Sequence, residues 1–341
     1  MTSRVLLCAA LATAIGVATA AGAVRISPAS IVSMALVRVG VTQASRPESA
    51  TDATIVFDVR LPRVLTAALV GAALSAAGVL FQALLRNPLA DPYAIGTSGG
   101  AALGAALGMT VASRFGGDVI GAVPLLAFAG AVATTFLVYS LARVGGRTPV
   151  VTLLLAGVIV SVTLGYAMSL LLLLSDQYGR DTRLVYVWLL GGVTTVGWAH
   201  VGVLAALVCG GCAVAWAWGR RLNALSLGEE SAASVGLDVE RFKTGVIVVG
   251  SLLTAAAVSA AGLVGFVGLI VPHIARLAGG PNHTRLIPSA VLGGATFLVL
   301  ADLLARAAAP PTEIPLGIVT AVAGGPLFLH LLRRSRHVYR G

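Results

Sequence analysis

Residues 64–84 read VLTAALVGAALSAAGVLFQAL, a run that contains no charged side chain. A helix needs about 20 mainly apolar residues to cross a bilayer, so this run is long enough for one membrane span. Windows of the same kind recur along almost the whole chain, separated by short breaks that carry Pro, Gly and Arg. The sequence therefore predicts an all-α integral membrane protein.

The composition supports the same class. Hydrophobic residues make up 57% of the 341 residues and charged residues only 11%, which is more apolar side chain than a globular core can bury. The net charge of +10 is spread over the ends of the apolar runs, which favours membrane orientation over nucleic-acid binding. The three cysteines lie in apolar windows and no histidine pair has metal-ligand spacing, so we predict no metal site and no cofactor.

We predict about ten spans, with both termini in the cytoplasm. The predicted spans are 4–23, 64–84, 94–111, 119–141, 150–174, 198–218, 244–260, 264–277, 286–304 and 314–332. The first resembles a secretory signal peptide but is interpreted as a retained span. With the N-terminus inside, most basic residues fall in cytoplasmic segments, as the positive-inside rule requires. Residues 1–341 are predicted to form a single transmembrane domain.

A short repeat indicates that the two halves of the chain are related. Ser75-Ala76-Ala77-Gly78 recurs as Ser259-Ala260-Ala261-Gly262, and the same spacing carries Pro88 onto Pro272. The copies lie in spans 2 and 7, five crossings apart, so they run in opposite directions. We therefore predict an inverted repeat of spans 2–5 and 7–10, an arrangement typical of transporters. Pro272 in span 8 and Pro326 in span 10 predict broken or kinked helices.

Energy coupling separates the possible classes of transporter. A Walker phosphate loop requires Gly-Lys-Ser or Gly-Lys-Thr, whereas the only lysine, Lys243, follows Phe242. The chain is therefore predicted to be no ATPase and to hold no catalytic residue. An ion-coupled carrier normally places acids in the middle of the membrane. Here only Asp302 lies within a span, four residues before Arg306, where a local ion pair is expected. A secondary transporter stays open as an alternative.

The longest polar interruption in the second half is residues 220–243, RRLNALSLGEESAASVGLDVERFK. The predicted topology places it in the cytoplasm. Ser226 and Glu229 have the spacing of a capping box, Gly236 suits a helix end, and Asp238 can cap a second short helix. Two short surface helices at about 222–243 would form a docking element for a motor supplied by another protein. An ordinary solvated loop is the alternative.

A membrane enzyme is the alternative from a different class. Gly96-Thr97-Ser98-Gly99 fits the GxSG pattern of rhomboid intramembrane serine proteases, and His273 is a conceivable base. The match is only four residues long and arises easily in a helix rich in Gly and Ser. The transporter interpretation is therefore favoured.

Several long segments resemble the permeases of bacterial iron-siderophore, haem and cobalamin importers, in the type II class of ATP-binding-cassette (ABC) importers. They are RLPRVLTAALVGAALSAAGVLFQALLRNPLADPYAIGTSGG (60–100), LNALSLGEESAASVGLD (222–238), GLVGFVGLIVPHIARL (262–277), LADLLAR (300–306) and EIPLGIVTAVAGGPLF (313–328). The resemblance covers about residues 58–333. It implies the type II importer permease fold and import of a metal chelate, with ferric siderophore as the first choice and haem or cobalamin next.

The resemblance also implies partners and residue roles. The implied partners are a second copy of the chain, two ABC ATPase subunits and a periplasmic binding protein, assembled in the bacterial inner membrane. The coupling residues would be Leu225, Gly228, Glu229, Glu230, Ser231, Ala232 and Gly236. The arginines that dock the binding protein would be Arg60, Arg63 and Arg306. The cytoplasmic gate would be Pro149, Val150 and Val151, where the cobalamin permeases have small hydroxyl residues.

Overall fold

The computed structural model describes residues 2–22, 26–41, 50–115, 119–176, 183–193, 197–309 and 312–335. The helices of this part are α1 (Thr2–Ala20), α2 (Pro28–Arg38), α3 (Ala50–Thr54), α4 (Leu61–Leu84), α5 (Thr97–Phe115), α6 (Val119–Ala142), α7 (Val150–Asp176), α8 (Arg183–Leu189), α9 (Gly197–Ala217), α10 (Gly219–Ser226), α11 (Glu229–Ser234), α12 (Val239–Ala261), α13 (Val267–Gly279), α14 (His283–Ala307) and α15 (Leu316–Ser335). A π-helical turn (Ile55–Arg60) leads into α4, and a 3-10 turn (Pro92–Ile95) precedes α5. The last residue of the predicted first span, Ala23, lies outside the described residues.

Each predicted span corresponds to one helix. Among the described residues, six helices are long and apolar enough to cross a membrane: those that include α4, α6, α7, α9, α12 and α14. The other four predicted spans correspond to α1, α5, α13 and α15. The prediction of an all-helical membrane protein is confirmed.

Contacts at the helix ends give the relative directions of α1, α9 and α14. At one end of the bundle, Arg4 Nη2 and Trp216 Nε1 each donate to the carbonyl oxygen of Thr284, both at 3.3 Å. These residues lie at the start of α1, the end of α9 and the start of α14. At the opposite end, Arg306 Nη1 near the end of α14 donates to the Ala21 carbonyl just after α1, at 3.2 Å. Helices α1 and α14 are therefore parallel. The short helices α10 and α11 form a projection at the first of these ends, which we call the knob end. We call the opposite end the Arg306 end.

The two halves of the chain pack reciprocally. Helix α4, the first of the first repeat, packs on α14, the third of the second repeat. Helix α12, the first of the second repeat, packs in the same way on α6, the third of the first. A twofold relation between the halves requires this exchange, so the packing agrees with an inverted repeat.

The residues quoted for the repeat do not occupy equivalent places. Ser75–Gly78 lies in the interior of α4, whereas Ser259–Gly262 spans the end of α12, with Gly262 at a φ of 64°. Pro88 lies in the segment after α4, whereas Pro272 lies inside α13. That residue correspondence was wrong, because small residues recur in membrane helices wherever two backbones approach closely.

Pro272 and Pro326 do not break their helices, and a kink at either proline stays a prediction. Helices α13 and α15 run through Pro272 and Pro326 without interruption. Irregular backbone instead precedes α5 and α13, and the two irregular segments meet inside the protein, where Tyr93 Oη donates to the Val264 carbonyl at 3.2 Å. Non-helical backbone is tolerated at membrane depth where protein surrounds it.

Helix α4 lies at the centre of the bundle. Among the six long spans its apolar window is the most buried and that of α7 the least. Close approach is made possible by glycine, since Gly71 contacts the backbone of Gly294 in α14 and Gly78 that of Gly268 in α13. A Cβ at either α4 position would overlap the neighbouring backbone, so the central packing depends on these small residues.

Candidate functional site

Two short helices occur where the sequence predicted a docking element. Helix α10 ends at Ser226 and α11 begins at Glu229, with Gly228 between them at a φ of 122°. Gly236 follows α11 at a φ of 84° and leads into α12. Both glycines lie in the left-handed region, where a side chain is strained. The two glycines therefore set the shape of this element, which we call the knob (residues 219–238).

The helix caps observed in the knob differ from those that the sequence predicted. Ser226 Oγ donates back to the Leu222 carbonyl within α10, at 2.8 Å, and Gly228 precedes α11 without a side-chain cap. The predicted capping box is therefore not formed. Asp238 does cap a helix, but it is the long α12, where its Oδ1 accepts from the Arg241 backbone N–H at 3.2 Å.

The predicted coupling residues divide into buried and accessible ones. Leu225 and Ala232 are fully buried and hold the knob against the bundle. The others are exposed or half-buried: Gly228, Glu229, Glu230, Ser231 and Gly236. The sequence analysis missed Leu227, which is 79% exposed, and the similarly exposed Val235. The signal was present, because Leu222 and Leu225 at helical spacing already form the buried face of α10.

The only lysine of the chain lies beneath α11. The Lys243 side chain is 3% exposed, and its Nζ lies 2.8 Å from Glu240 Oε1 and 3.2 Å from Glu229 Oε1. The other oxygen of Glu240, Oε2, accepts a hydrogen bond from the backbone N–H of Thr148 at 2.9 Å. Lys243 is therefore a helix residue engaged by two carboxylates, and it has no phosphate-binding loop around it.

The predicted gate residues lie beside Thr148, at the knob end. A tight turn with a backbone bridge between Val144 and Arg147 connects α6 to α7. Pro149 and Val151 are exposed and Val150 is half-buried. The structure thus brings the predicted gate and the predicted coupling helices to one end of the bundle.

The three predicted docking arginines converge at the opposite end. Arg60 Nη1 donates to the carbonyl oxygens of Thr19 and Ala20, at 3.2 and 3.1 Å. Arg306 Nη2 donates to the Ala18 carbonyl at 3.0 Å. Both guanidinium groups therefore satisfy carbonyls at the C-terminal end of α1, which have no partner within the helix.

The carboxylate of Asp302 binds both Arg63 and Arg306. Its Oδ2 accepts from Arg306 Nε at 2.9 Å, and its Oδ1 accepts from Arg63 Nε and Nη2 at 3.1 and 3.0 Å. Arg63 also pairs with Glu313, in the segment before α15, at 2.8 Å. The local pair expected between Asp302 and Arg306 is confirmed. Arg60 is buried, the Arg306 side chain is 8% exposed, and all three arginines have partners within the chain. Their docking role stays a prediction.

The alternative chemistries find little support in the described part of the chain. No hydrogen bond there joins Ser98 to His273, and His273 Nδ1 has no partner. Asp302, the acid within a span, is paired with Arg63 and Arg306. No cluster of three His, Cys, Asp or Glu suited to a metal ion occurs among these residues.

A helical membrane bundle with two reciprocally packed halves and a short helical knob is an architecture typical of a transporter. The model of the FecCD transport family matches residues 7–334. The chain belongs to this family, and the resemblance noted in the sequence is confirmed.

Individual relatives agree with this class. The chain is 45% identical to the cobalamin import system permease protein BtuC of Halobacterium salinarum over 287 residues, which is 84% of this chain and 75% of the relative. It is 37% identical to the hemin transport system permease protein HmuU of Yersinia pestis over 293 residues, 84% of this chain and 85% of the relative. A solved structure described as an inward-facing metal-chelate type ABC transporter superposes with a TM-score of 0.79 at 30% identity, covering 97% of this chain and 98% of the other. The chain is an ABC-transporter permease.

Proposed function

We propose that this chain forms the transmembrane pathway of an ATP-driven importer for a metal chelate. Two copies would span the cell inner membrane, with two ATPase subunits on one side and a periplasmic binding protein on the other. The observation that carries the proposal is the knob, because it presents Leu227 and Val235 to a partner at the end where the predicted gate lies. Exposed apolar side chains with acidic neighbours suit insertion into a groove on another protein.

The knob end is proposed to be cytoplasmic, with both termini on that side and residues 1–341 forming one domain. Arginines gather at this end of the bundle, notably Arg86, Arg143, Arg147, Arg220 and Arg221. An excess of basic residues in short loops marks the cytoplasmic face. Arg336 and Arg340, which add to this excess in the sequence, lie outside the described residues.

A second copy of the chain is proposed to pack on α7. Its apolar window is only 17% buried within one chain. Leu155, Val158, Ile159 and Val162 are all exposed on it. Lipid alone can cover such a surface, but a pathway between two copies needs a helix that each copy leaves largely unpacked. The predicted gate begins this same helix.

The binding protein is proposed to dock at the Arg306 end, through Arg60, Arg63 and Arg306. Arg63 offers the accessible donor, because its partner Glu313 is half exposed. A carboxylate from the binding protein would share or replace that partner. Pairs of this kind at a rim steer association and fix orientation more than they add affinity.

The substrate is proposed to be a metal chelate of the ferric-siderophore, haem or cobalamin type. Ferric siderophore comes first only because it is prevalent in the family that the chain resembles, whereas the named relatives are permeases of cobalamin and hemin import. Direct titration of the cognate binding protein against all three ligands would choose among them.

Reconstitution tests the proposal as a whole. The purified chain alone should hydrolyse no ATP, and addition of the separate ATPase and the loaded binding protein should give ATP-dependent uptake into proteoliposomes. Robust hydrolysis by the isolated chain would contradict the proposal. So would uptake driven by an ion gradient without ATP, which would favour the secondary transporter.

A further inference from the structure

We propose that Lys243 is a positioning residue for transport, which transmits movement of the knob to the turn before the gate. The inference rests on the proposed function, in which the knob binds the ATPase. It assigns to the only lysine of the chain a role that neither the fold nor the relatives' names provide.

The contacts form one continuous path. Glu229, the first residue of α11, lies 3.2 Å from Lys243 Nζ, and Lys243 lies 2.8 Å from Glu240 one helical turn earlier in α12. Glu240 accepts the backbone N–H of Thr148 at 2.9 Å. Thr148 immediately precedes Pro149, the first predicted gate residue. Two ion pairs and one hydrogen bond therefore connect the knob to the start of α7.

Burial makes this path stiff. An ammonium group is strongly hydrated and is almost never fully buried unless it is paired. The Lys243 side chain is 3% exposed, so water cannot replace a lost carboxylate without rearrangement of α11 or α12. A shift of α11 therefore has to carry Lys243, and Glu240 with it, or leave the buried ammonium group with only one of its two carboxylates.

Helix α6, which precedes the turn, is also hydrogen-bonded to the first turns of α12. Thr244 Oγ1 donates to the Glu240 carbonyl at 2.9 Å, so the Tyr139 hydroxyl, 2.9 Å from Thr244 Oγ1, is the donor in that contact. Tyr139 belongs to the last turns of α6. The first turns of α12 thus hold both helices that the α6–α7 turn connects, and a displacement at Lys243 reaches the whole turn.

Arg241 provides a matched control two residues away. Its ion pair with Asp238 joins α12 only to its own cap, and the two side chains are 90% and 56% exposed. Exposed pairs contribute little to stability. Arg241→Met and Lys243→Met therefore remove the same charge from the same helix, and only the second interrupts the path.

The test uses the full complex in proteoliposomes. Lys243→Met should still assemble with the ATPase and hydrolyse ATP. The amount of substrate transported per ATP should fall by about 2- to 30-fold, the range that a coupling energy of 0.5–2 kcal/mol allows. Lys243→Arg should restore coupling, and Arg241→Met should behave as wild type.

Hydrogen exchange supplies a readout that a merely structural role would not change. In the wild type, nucleotide should alter amide exchange in both the knob and residues 143–149. In Lys243→Met the knob should keep its nucleotide response and residues 143–149 should lose theirs. A wild-type response of the turn together with wild-type coupling would overturn the proposal.

Glu229→Gln keeps the test decisive if Lys243→Met fails to assemble. This change breaks only the arm that reaches α11 and leaves Lys243 paired with Glu240. It should show the same loss of response in the turn, and an unchanged response would refute the inference. If the wild-type complex itself shows no ATP-dependent uptake, it is the proposed function that fails.

Discussion

Asp302→Asn should destabilise the protein far more than the loss of an exposed acid. The Asp302 side chain is 1% exposed and lies between Arg63 and Arg306, which are 17% and 8% exposed. Removal of one partner from a buried ion pair costs about 3–5 kcal/mol, because a buried charge is left without compensation. Arg63 keeps Glu313 and Arg306 keeps its carbonyl acceptors on α1, so we expect the lower limit, about 3 kcal/mol.

Asp58→Asn is the matched control at the same end of the bundle. Asp58 lies 3.8 Å from Arg38, and the two side chains are 49% and 58% exposed. An exposed pair contributes about 0.2–1 kcal/mol. The free energy of unfolding would be measured in mixed detergent micelles with the intrinsic fluorescence of the four tryptophans. If Asp302→Asn lowered it no more than Asp58→Asn, the assignment of Asp302 as a structural anchor would be refuted.

Three further predictions concern the two ends of the bundle. Leu227→Glu should reduce co-purification with the ATPase while the chain stays folded, since Leu227 is exposed and apolar contacts dominate the centre of an interface. The control Leu227→Met should have little effect. Equal binding by both variants would argue against the knob as the contact. Gly236→Pro should uncouple transport without loss of membrane insertion, because the φ of 84° at Gly236 is far from the value of about −65° that proline imposes. Unchanged transport would contradict that reasoning. Arg63→Gln should slow association with the binding protein at low ionic strength, with the difference vanishing as salt is added, since Arg63 is the accessible donor at this end. Rates equal to wild type at all salt concentrations would place docking elsewhere. Charge reversal at Arg63 is a poorer test, because a carboxylate there would face Asp302 and Glu313.

The sequence predicts the spans well because each is a local property of a continuous apolar run. Hydropathy is less accurate at the ends of spans. The predicted span 8 is 264–277, whereas α13 begins at Val267. Gly262 and Phe266 have φ values of 64° and 69°, and backbone that turns this way cannot be recognised from hydropathy. The prolines did not locate the irregular backbone either, because Pro272 and Pro326 lie inside continuous helices.

The site shows the same division between local and long-range information. The pair of Asp302 with Arg306 follows from a spacing of four on one helix, and it was predicted. The second partner, Arg63, lies on another span of the chain, and no local rule relates the two. Lys243 illustrates this further: its spacing of three from Glu240 is a local signal for an ion pair, whereas no local rule relates it to Glu229, 14 residues earlier.

The two buried ion clusters limit how the molecule can change shape. One has Lys243 at its centre and joins α11 and α12 to the turn before α7. The other has Asp302 at its centre and joins α4 and α14 to Glu313, in the segment before α15. Alternating states of a transporter differ by only a few kcal/mol, whereas separation of either cluster would cost about as much as the whole difference. The helices are therefore expected to move in the region between the two clusters, while the ion pairs within each cluster stay intact. Helix α7 begins at the first cluster and is the least buried of the long spans, so it can tilt about that end while the packing around α4 stays intact. The gate predicted at the start of α7 would then move with the knob, because Glu240 holds the backbone of Thr148 immediately before it.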